Sequence, residues 1–451
     1  MNTNSSGFPE WASLPSEIRT KILNTIADQK NPRWSSLASV SQEWHSIVGA
    51  RNMAKLKIGQ SCVDEFGRVV VLQRNLVKHI YLKVDLLEYT RHSPVKPHTD
   101  IVGRTMKKVL DILSTWETTG PLTLEINAVA ARDSQHWFKN FRWDDDYDAY
   151  DRNSPVYDPQ EGIIGTWHDS RHGWENGVQV KPPPFKAWQR ISQPIESTYI
   201  KFPPINAVTC LMIRRQMRRF FFPDELKRIL ISFKRLSEFV FESWPEAYSD
   251  LGSQGHCYHS ISDQRDSHAE WTTHTVTQNG FKELAVSFLF DVSDFLKHLG
   301  NIWGSADLQS MALTSVLLRA GEQRQDEVQR LLIDTAKMAL LMPDLKTFVL
   351  WTGDMDISCA FIYTRGERYT EINWRGTWEL NIGSDAMNAW NNVAKFHGVQ
   401  LRTTAHKRIT EVIMSHGDAI HHLDLPCEVI QPTSLWQIRM ENQRRNPPIR
   451  S

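Results

Sequence analysis

The feature that most restricts the fold is a recurring couplet: an amphipathic helical stripe, a turn, then a short run of the form Leu-x-x-apolar-apolar-apolar. "PDELKRILISFKR" leads into "LSEFVFESW", and "DEVQRLLIDTAKMALLMPD" leads into "LKTFVLW". Leu226, Ile229, Leu230 and Phe233 in the first helix recur at helical spacing, as do Val328, Leu331, Leu332, Ala336 and Leu340 in the second. The strands align as well, with Leu236, Phe239, Val240 and Phe241 matching Leu345, Phe348, Val349 and Leu350. "TMKKVLDILSTW" before "GPLTLEINA" is an earlier copy. "ELAVSFLFD", a helix over 292–299 and "LQSMALTSVLL" make another, and "KRITEVIMSHGDAIHHLDLP" repeats the idea near the end. Helices alternating with strands this short imply parallel strands joined by right-handed crossovers. The expected class is therefore α/β: an irregular strand-helix, leucine-rich-repeat-like array over residues 66–440, without a strict consensus repeat. Within it, 67–86 alternates branched and polar residues as strands do, and "ERYTEINWRGTWELNI" (367–382) reads as an antiparallel hairpin. Two stretches break the pattern, near 142–186 and 249–280, and read as loop insertions available for partner contact.

A small all-α module, residues 8–55, stands ahead of the array. In "EWASLPSEIRTKILNTIADQ", Pro15 belongs in the first turn of a helix, where its missing N–H does no harm. Ser13 is the expected N-cap, and Leu14, Ile18, Ile22 and Ile26 with Leu23 form one apolar face. "LASVSQEWHSIV" carries a second stripe, Leu37, Val40, Trp44, Ile47 and Val48, which Gly49 is expected to end. So short a module buries little surface by itself, so its stripes must rest on the remaining chain or on another protein.

Leu14, Pro15, Glu17, Ile18, Ile22, Leu23, Leu37, Val40, Ser41, Trp44 and Val48 stand in an order that resembles the F-box, by which substrate receptors dock on the Skp adaptor of cullin-type ubiquitin ligases. Gln42 and Glu43 depart from it, since many F-boxes have a basic residue or Cys there. Together with "LMIRRQMRRFFFPDELKRIL" and the "NAWNNVAKFHG" helix, the module resembles a large group of fungal F-box proteins whose leucine-rich-repeat-like C-terminal region has no assigned activity. The resemblance implies that Leu14, Pro15, Ile18, Ile22, Leu23, Leu37, Val40, Trp44 and Val48 bind a Skp-type adaptor, and through it a cullin ligase. The array would then hold an unknown protein substrate for ubiquitination.

Lys+Arg and Asp+Glu both total 52. With no net charge, the chain as a whole is not built to coat nucleic acid or an anionic membrane. No run of 18 apolar residues and no basic-then-apolar leader occurs, so the expectation is a soluble protein inside the cell, cytoplasmic or nuclear. The cysteines (Cys62, Cys210, Cys257, Cys359, Cys427) are scattered and fit reduced thiols. No phosphate-binding loop, dinucleotide turn, nucleophile elbow or zinc-protease helix is present, so no enzyme, cofactor or metal is expected. His256, Cys257, His259, His268 and His274 crowd one loop at spacings that match no common zinc site, and His416, His421 and His422 straddle a helix end and the strand after it.

The sharpest polar feature is "RRQMRRFFF". Arg214, Arg215, Arg218 and Arg219 crowd a strand-helix junction, and guanidiniums grip carboxylate or phosphate with two prongs. Two readings follow: a surface that binds an acidic or phosphorylated substrate segment, or internal pairing with acidic residues such as the inserted "DDDYDAYD". A non-ligase scaffold or nucleic-acid-binding protein using Arg214–Arg219 is the rival function. The missing aromatic-and-basic stacking motif argues against it.

Overall fold

Chain order and spatial order coincide in the central sheet. The computed structural model describes residues 11–29, 33–88, 99–117, 120–130, 168–191 with breaks at 177 and 182, 200–242, 280–299, 307–404 and 406–435, together with 132, 133, 137, 194, 195, 269, 270, 272, 273 and 438. Its main sheet runs β1 (Lys55–Gly59), β2 (His79–Asp85), β3 (Thr123–Val129), β4 (Cys210–Ile213), β5 (Glu238–Glu242), β6 (Glu283–Ser287), β7 (Ser310–Thr314), β8 (Thr347–Asp354), β9 (Ile357–Arg365), β10 (Tyr369–Gly376) and β11 (Gln400–Thr403) side by side. β12 (Lys407–Arg408) follows β11 along the free side of β10. Within the run β1 to β8 each strand is parallel to the next. The fold is mixed α/β on a large, mostly parallel sheet. Among the described residues no helix is long and apolar enough to cross a membrane.

The direction of pairing follows from connection length. Helices such as Thr99–Ser114, Pro223–Ser232, Val292–Lys297 and Gln325–Ala339 give the chain room to return to the start of the sheet, which makes the next strand parallel. Only Met355 and Asp356 join β8 to β9, and only three residues join β9 to β10, so these pairs are antiparallel. Asp356 turns through φ 61°, a left-handed conformation that Asp tolerates better than most residues.

Crossovers of one hand, all stepping in one direction, leave their helices on one face of the sheet. Ile80, Leu82, Leu124, Ile126, Leu211, Phe239, Leu284, Met311, Phe348 and Leu350 alternate along the strands toward that face and share one core with Val109, Ile229, Phe295, Leu332 and Trp390 of the helices. The intervening residues form the second face. One register row crosses it as Tyr81, Glu125, Met212, Val240, Ala285, Ala312, Val349 and Ile362, polar at the β2 side and apolar at the β9 side.

Several expectations need correction. Residues 67–86 are not one strand: a helix, Val63–Val69, and short helical turns carry the chain from β1 back to β2, and only His79–Asp85 is extended. Helix Ala50–Ala54 runs straight into β1, which begins at Lys55. The hairpin partner of Tyr369–Gly376 lies upstream at Ile357–Arg365, not within 367–382. The described residues after 408 add no repeat. Ile409, Ile413, Ala419, Ile420, Leu423, Val429 and Ile430 fold over the second face onto Ala312, Val349, Trp351, Ala360 and Ile362, apolar surface that would otherwise meet water. Hydrogen bonds fasten this returning segment: Ser287 Oγ to the Val429 carbonyl at 2.7 Å, Ser358 Oγ to the Ala419 carbonyl at 3.1 Å and Arg375 to the Leu423 carbonyl at 2.9 Å. His416, His421 and His422 all lie within its helix, His416–Leu423, instead of spanning a helix end and a strand. Of the two insertions, 168–181 forms a small hairpin, Trp174–Glu175 with Val178–Gln179, and most of the rest lies outside the described residues.

Gly353 of β8 lies against the returning helix. A Cβ added there would stand 2.5 Å from the Ala419 Cβ. Gly353→Ala is expected to cost about 1–3 kcal/mol through overpacking. Urea unfolding should show the loss, and limited proteolysis should cut first within 409–435.

Candidate docking surface and arginine cluster

The N-terminal module is held by a short inner seam. Helix Ser16–Gln29 begins one residue after Pro15, whose carbonyl accepts from the amides of Ile18 and Arg19, both at 3.1 Å. Ser13 lies in the preceding 3-10 turn, Trp11–Ser13. Leu37 sits in a separate 3-10 turn, Trp34–Ser39. Ser41 then caps a helical run that starts at Gln42 and passes through a π turn, His45–Gly49, into Ala50–Ala54. Gly49 keeps right-handed helical angles and does not end the helix. Leu23, Ala27 and Val48 are fully buried in this seam.

That burial corrects the expected adaptor set: Leu23 and Val48 build the module and cannot reach a partner. The others remain accessible. Ile18 is 45% exposed and Val40 59% exposed, Pro15 is exposed, and Leu14, Ile22, Leu37 and Trp44 are half-buried. Glu43, a departure from the F-box pattern, serves the module internally, accepting from Arg19 Nε at 2.8 Å and from the Trp11 indole at 3.1 Å. The Arg19 hydrogen bond, with a smaller one from Trp11, holds its carboxyl below the usual range. Arg51 clamps the far end by donating to Asp28 and to Asn24, the latter at 2.9 Å.

The arginine run lies elsewhere, just past β4, and is not a surface. Arg214, Arg215, Arg218 and Arg219 are each at most 9% exposed. The expected substrate-binding role for these four is therefore corrected, and the nucleic-acid reading loses the patch on which it depended. Arg219 makes a two-pronged pair with Asp133 at 2.5 and 3.0 Å. Arg214 Nε donates to one oxygen of Glu125, and His79 Nε2 lies 2.8 Å from the other. Burial by itself pushes the Glu125 carboxyl up, but His79 and Arg214 outweigh it and hold the group below the usual range. The Arg215 amide donates to Glu242 at 3.0 Å, and Glu242 also accepts from the Gln431 amide and the Ser434 hydroxyl of the returning segment. Full burial pushes the Glu242 carboxyl up despite these donors. Tyr81 and Asn127, paired at 2.6 Å, continue the buried polar layer.

Internal pairing thus describes Arg214 and Arg219, with Glu125 and Asp133 as charged partners, while "DDDYDAYD" lies outside the described residues. Sequence reasoning missed these partners because they stand 86 and 89 residues away. The available hint was Glu125, a carboxylate inside "LTLEINA" at a period-two position.

The remaining candidates add no metal cluster among the described residues. His256, Cys257, His259, His268 and His274 fall outside the described residues, and no grouping of three metal-binding side chains occurs among those described. Burial pushes the Cys359 and Cys427 thiols up to about 12 and Cys210 well above its usual value, which leaves them weak nucleophiles.

Comparison with known proteins adds one match. The model of a family of unknown function (DUF6546) matches residues 223–431, from the helix before β5 to the returning segment, leaving the N-terminal module outside. No curated protein and no solved structure matches the chain.

Removing one partner of a buried pair leaves an uncompensated charge, so Glu125→Leu is expected to cost about 3–5 kcal/mol at pH 7. Because the folded-state pKa of Glu125 is depressed, its contribution is complete above the ordinary carboxylate pKa and lost as pH falls through the folded value. Urea titrations from pH 7 to 3 should therefore show wild type and variant converging below about pH 4.

Proposed function

We propose that the chain is a non-enzymatic substrate-recognition adaptor. Its N-terminal module docks on a Skp-type adaptor and so joins a cullin ubiquitin ligase, and the sheet-based body holds the protein to be modified. The observation that carries this reading is the division within the module: Leu23, Ala27 and Val48 hold it together, while Pro15, Ile18 and Val40 face outward with Leu14, Ile22, Leu37 and Trp44 beside them. Outward apolar side chains on a small helical module are costly to leave in water and favour a partner. The order of these residues in the F-box pattern says which kind.

The body suits the other role, that of holding a substrate. Strands stacked in chain order with helices on one face are what a leucine-rich-repeat-like array has, and such quasi-linear bodies present extended binding surfaces. Transfer chemistry would reside in the bound ubiquitin-conjugating enzyme, so the chain needs no nucleophile or base of its own.

The test is a paired substitution on the outward side, Ile18→Ser with Val40→Ser. Each aliphatic side chain buried at an interface contributes about 1.5–3 kcal/mol, so binding to purified Skp-type adaptor is expected to fall by two or more orders of magnitude. Neither side chain belongs to the inner seam, so the melting profile should stay near wild type. Wild-type adaptor affinity in this variant would refute the docking assignment.

A further inference from the structure

Four large apolar side chains gather at the C-terminal rim of the sheet, far in sequence from the module: Val316 (56% exposed), Met355 (59%), Val412 (72%) and Met414 (38%). Three contacts place their segments along this rim. The Asp356 amide donates to the Ile413 carbonyl at 2.9 Å, which sets the β8–β9 turn against the returning segment. Ile413 itself is buried, so its neighbours Val412 and Met414 turn to solvent beside Met355. Arg319 bridges to Asp354 at 2.9 Å, and the Val316 amide donates to Asp291 at 2.6 Å, which fixes Val316 at the same rim.

The surround is acidic. Asp291, Asp354, Asp356 and Glu411 stand around the patch, against Arg319, Lys407 and the imidazole of His422. Backbone amides at 411 and 410, with the charges of His422 and Lys407, keep the Glu411 carboxyl below its usual range, so it stays ionised near neutrality. Exposed apolar groups rimmed by polar ones mark interaction sites, and thioethers adapt to varied apolar partners. A net negative rim repels acidic segments and attracts basic ones.

We propose that this rim is the substrate-binding surface of the body, and that it takes a peptide segment carrying aliphatic side chains flanked by lysine or arginine. The proposal rests on the reading of the body as a substrate platform and names the chemistry of what it holds. It also places recognition within the stretch matched by the family of unknown function, not at the buried arginines.

The experiment uses the purified full chain and fluorescence anisotropy with three labelled 12-residue probes: leucines with lysines, the same leucines with glutamates, and the lysines with leucines replaced by serine. The leucine–lysine probe is expected to bind, the other two at least 10-fold more weakly. Met355→Ser, Val412→Ser and Met414→Ser together should lower its affinity at least 10-fold. Asp356→Asn with Glu411→Gln should lower it several-fold and flatten the salt dependence, and Asn keeps the left-handed turn at 356 tolerable. Equal binding of the glutamate probe, no binding of the leucine–lysine probe, or unchanged affinity in either variant would overturn the proposal. Adaptor affinity measured on the same preparations separates the two readings. Peptide binding that survives Ile18→Ser with Val40→Ser supports the rim as a separate site, whereas peptide binding lost in that variant with normal melting would place recognition in the module and overturn it.

Discussion

A parallel sheet is stable only when both faces are covered, and the rest of this structure follows from how the chain meets that demand. Crossovers taken in one direction supply helices to one face only. The second face is closed in two ways. Over β7–β9 its apolar residues receive the returning segment, whose Ile413, Ile420 and Leu423 would otherwise be exposed themselves. Over β2 and β3 it is polar and closes through paired charges and hydrogen bonds: Glu125 with His79 and Arg214, and Tyr81 with Asn127. The two solutions have different physics. Apolar closure gains about 25 cal/mol per Å², whereas ionic closure has to satisfy every charge or lose several kcal/mol.

The arginine run sits where these solutions meet. Arg214 and Arg219 turn toward the acidic groups of β3 and the loop after it, while the Arg215 backbone shares Glu242 with Gln431 and Ser434 of the returning segment. One short stretch therefore ties strands near the start of the sheet to residues near the end of the chain. Two of its charges, those of Arg214 and Arg219, are met by carboxylates inside the fold.

The outward-facing chemistry is divided between two distant places. The module offers aliphatic side chains on helices, stiffened by the Glu43–Arg19 pair, and the sheet rim offers methionines and valines inside a negative border. Both are built from residues close to buried anchors: Ile18 about one turn before Leu23 on the same helix, and Val412 and Met414 on either side of Ile413. Burial of the anchor is what aims its neighbours outward.

Local period determined much of this from sequence alone. Stripes such as Leu226–Ile229–Leu230 and Val328–Leu331–Leu332 settle their helices, the runs at 239–241 and 348–350 settle central strands, and their alternation settles an α/β class with parallel pairing. Those conclusions need only contacts within a dozen residues. β1 escaped notice because "KLKIG" is a short edge strand with lysines turned to water, and the hairpin was shifted because strand partners depend on turn length more than on composition. Which face the last segment covers, whether four arginines point outward or inward, and which of Leu14 to Val48 remain reachable were decided only in three dimensions. Each depends on partners some 20 to 190 residues away, such as Glu125 for Arg214 and Glu242 for Ser434. A charged residue's local sequence records that it needs a partner, and only the folded chain records where that partner stands.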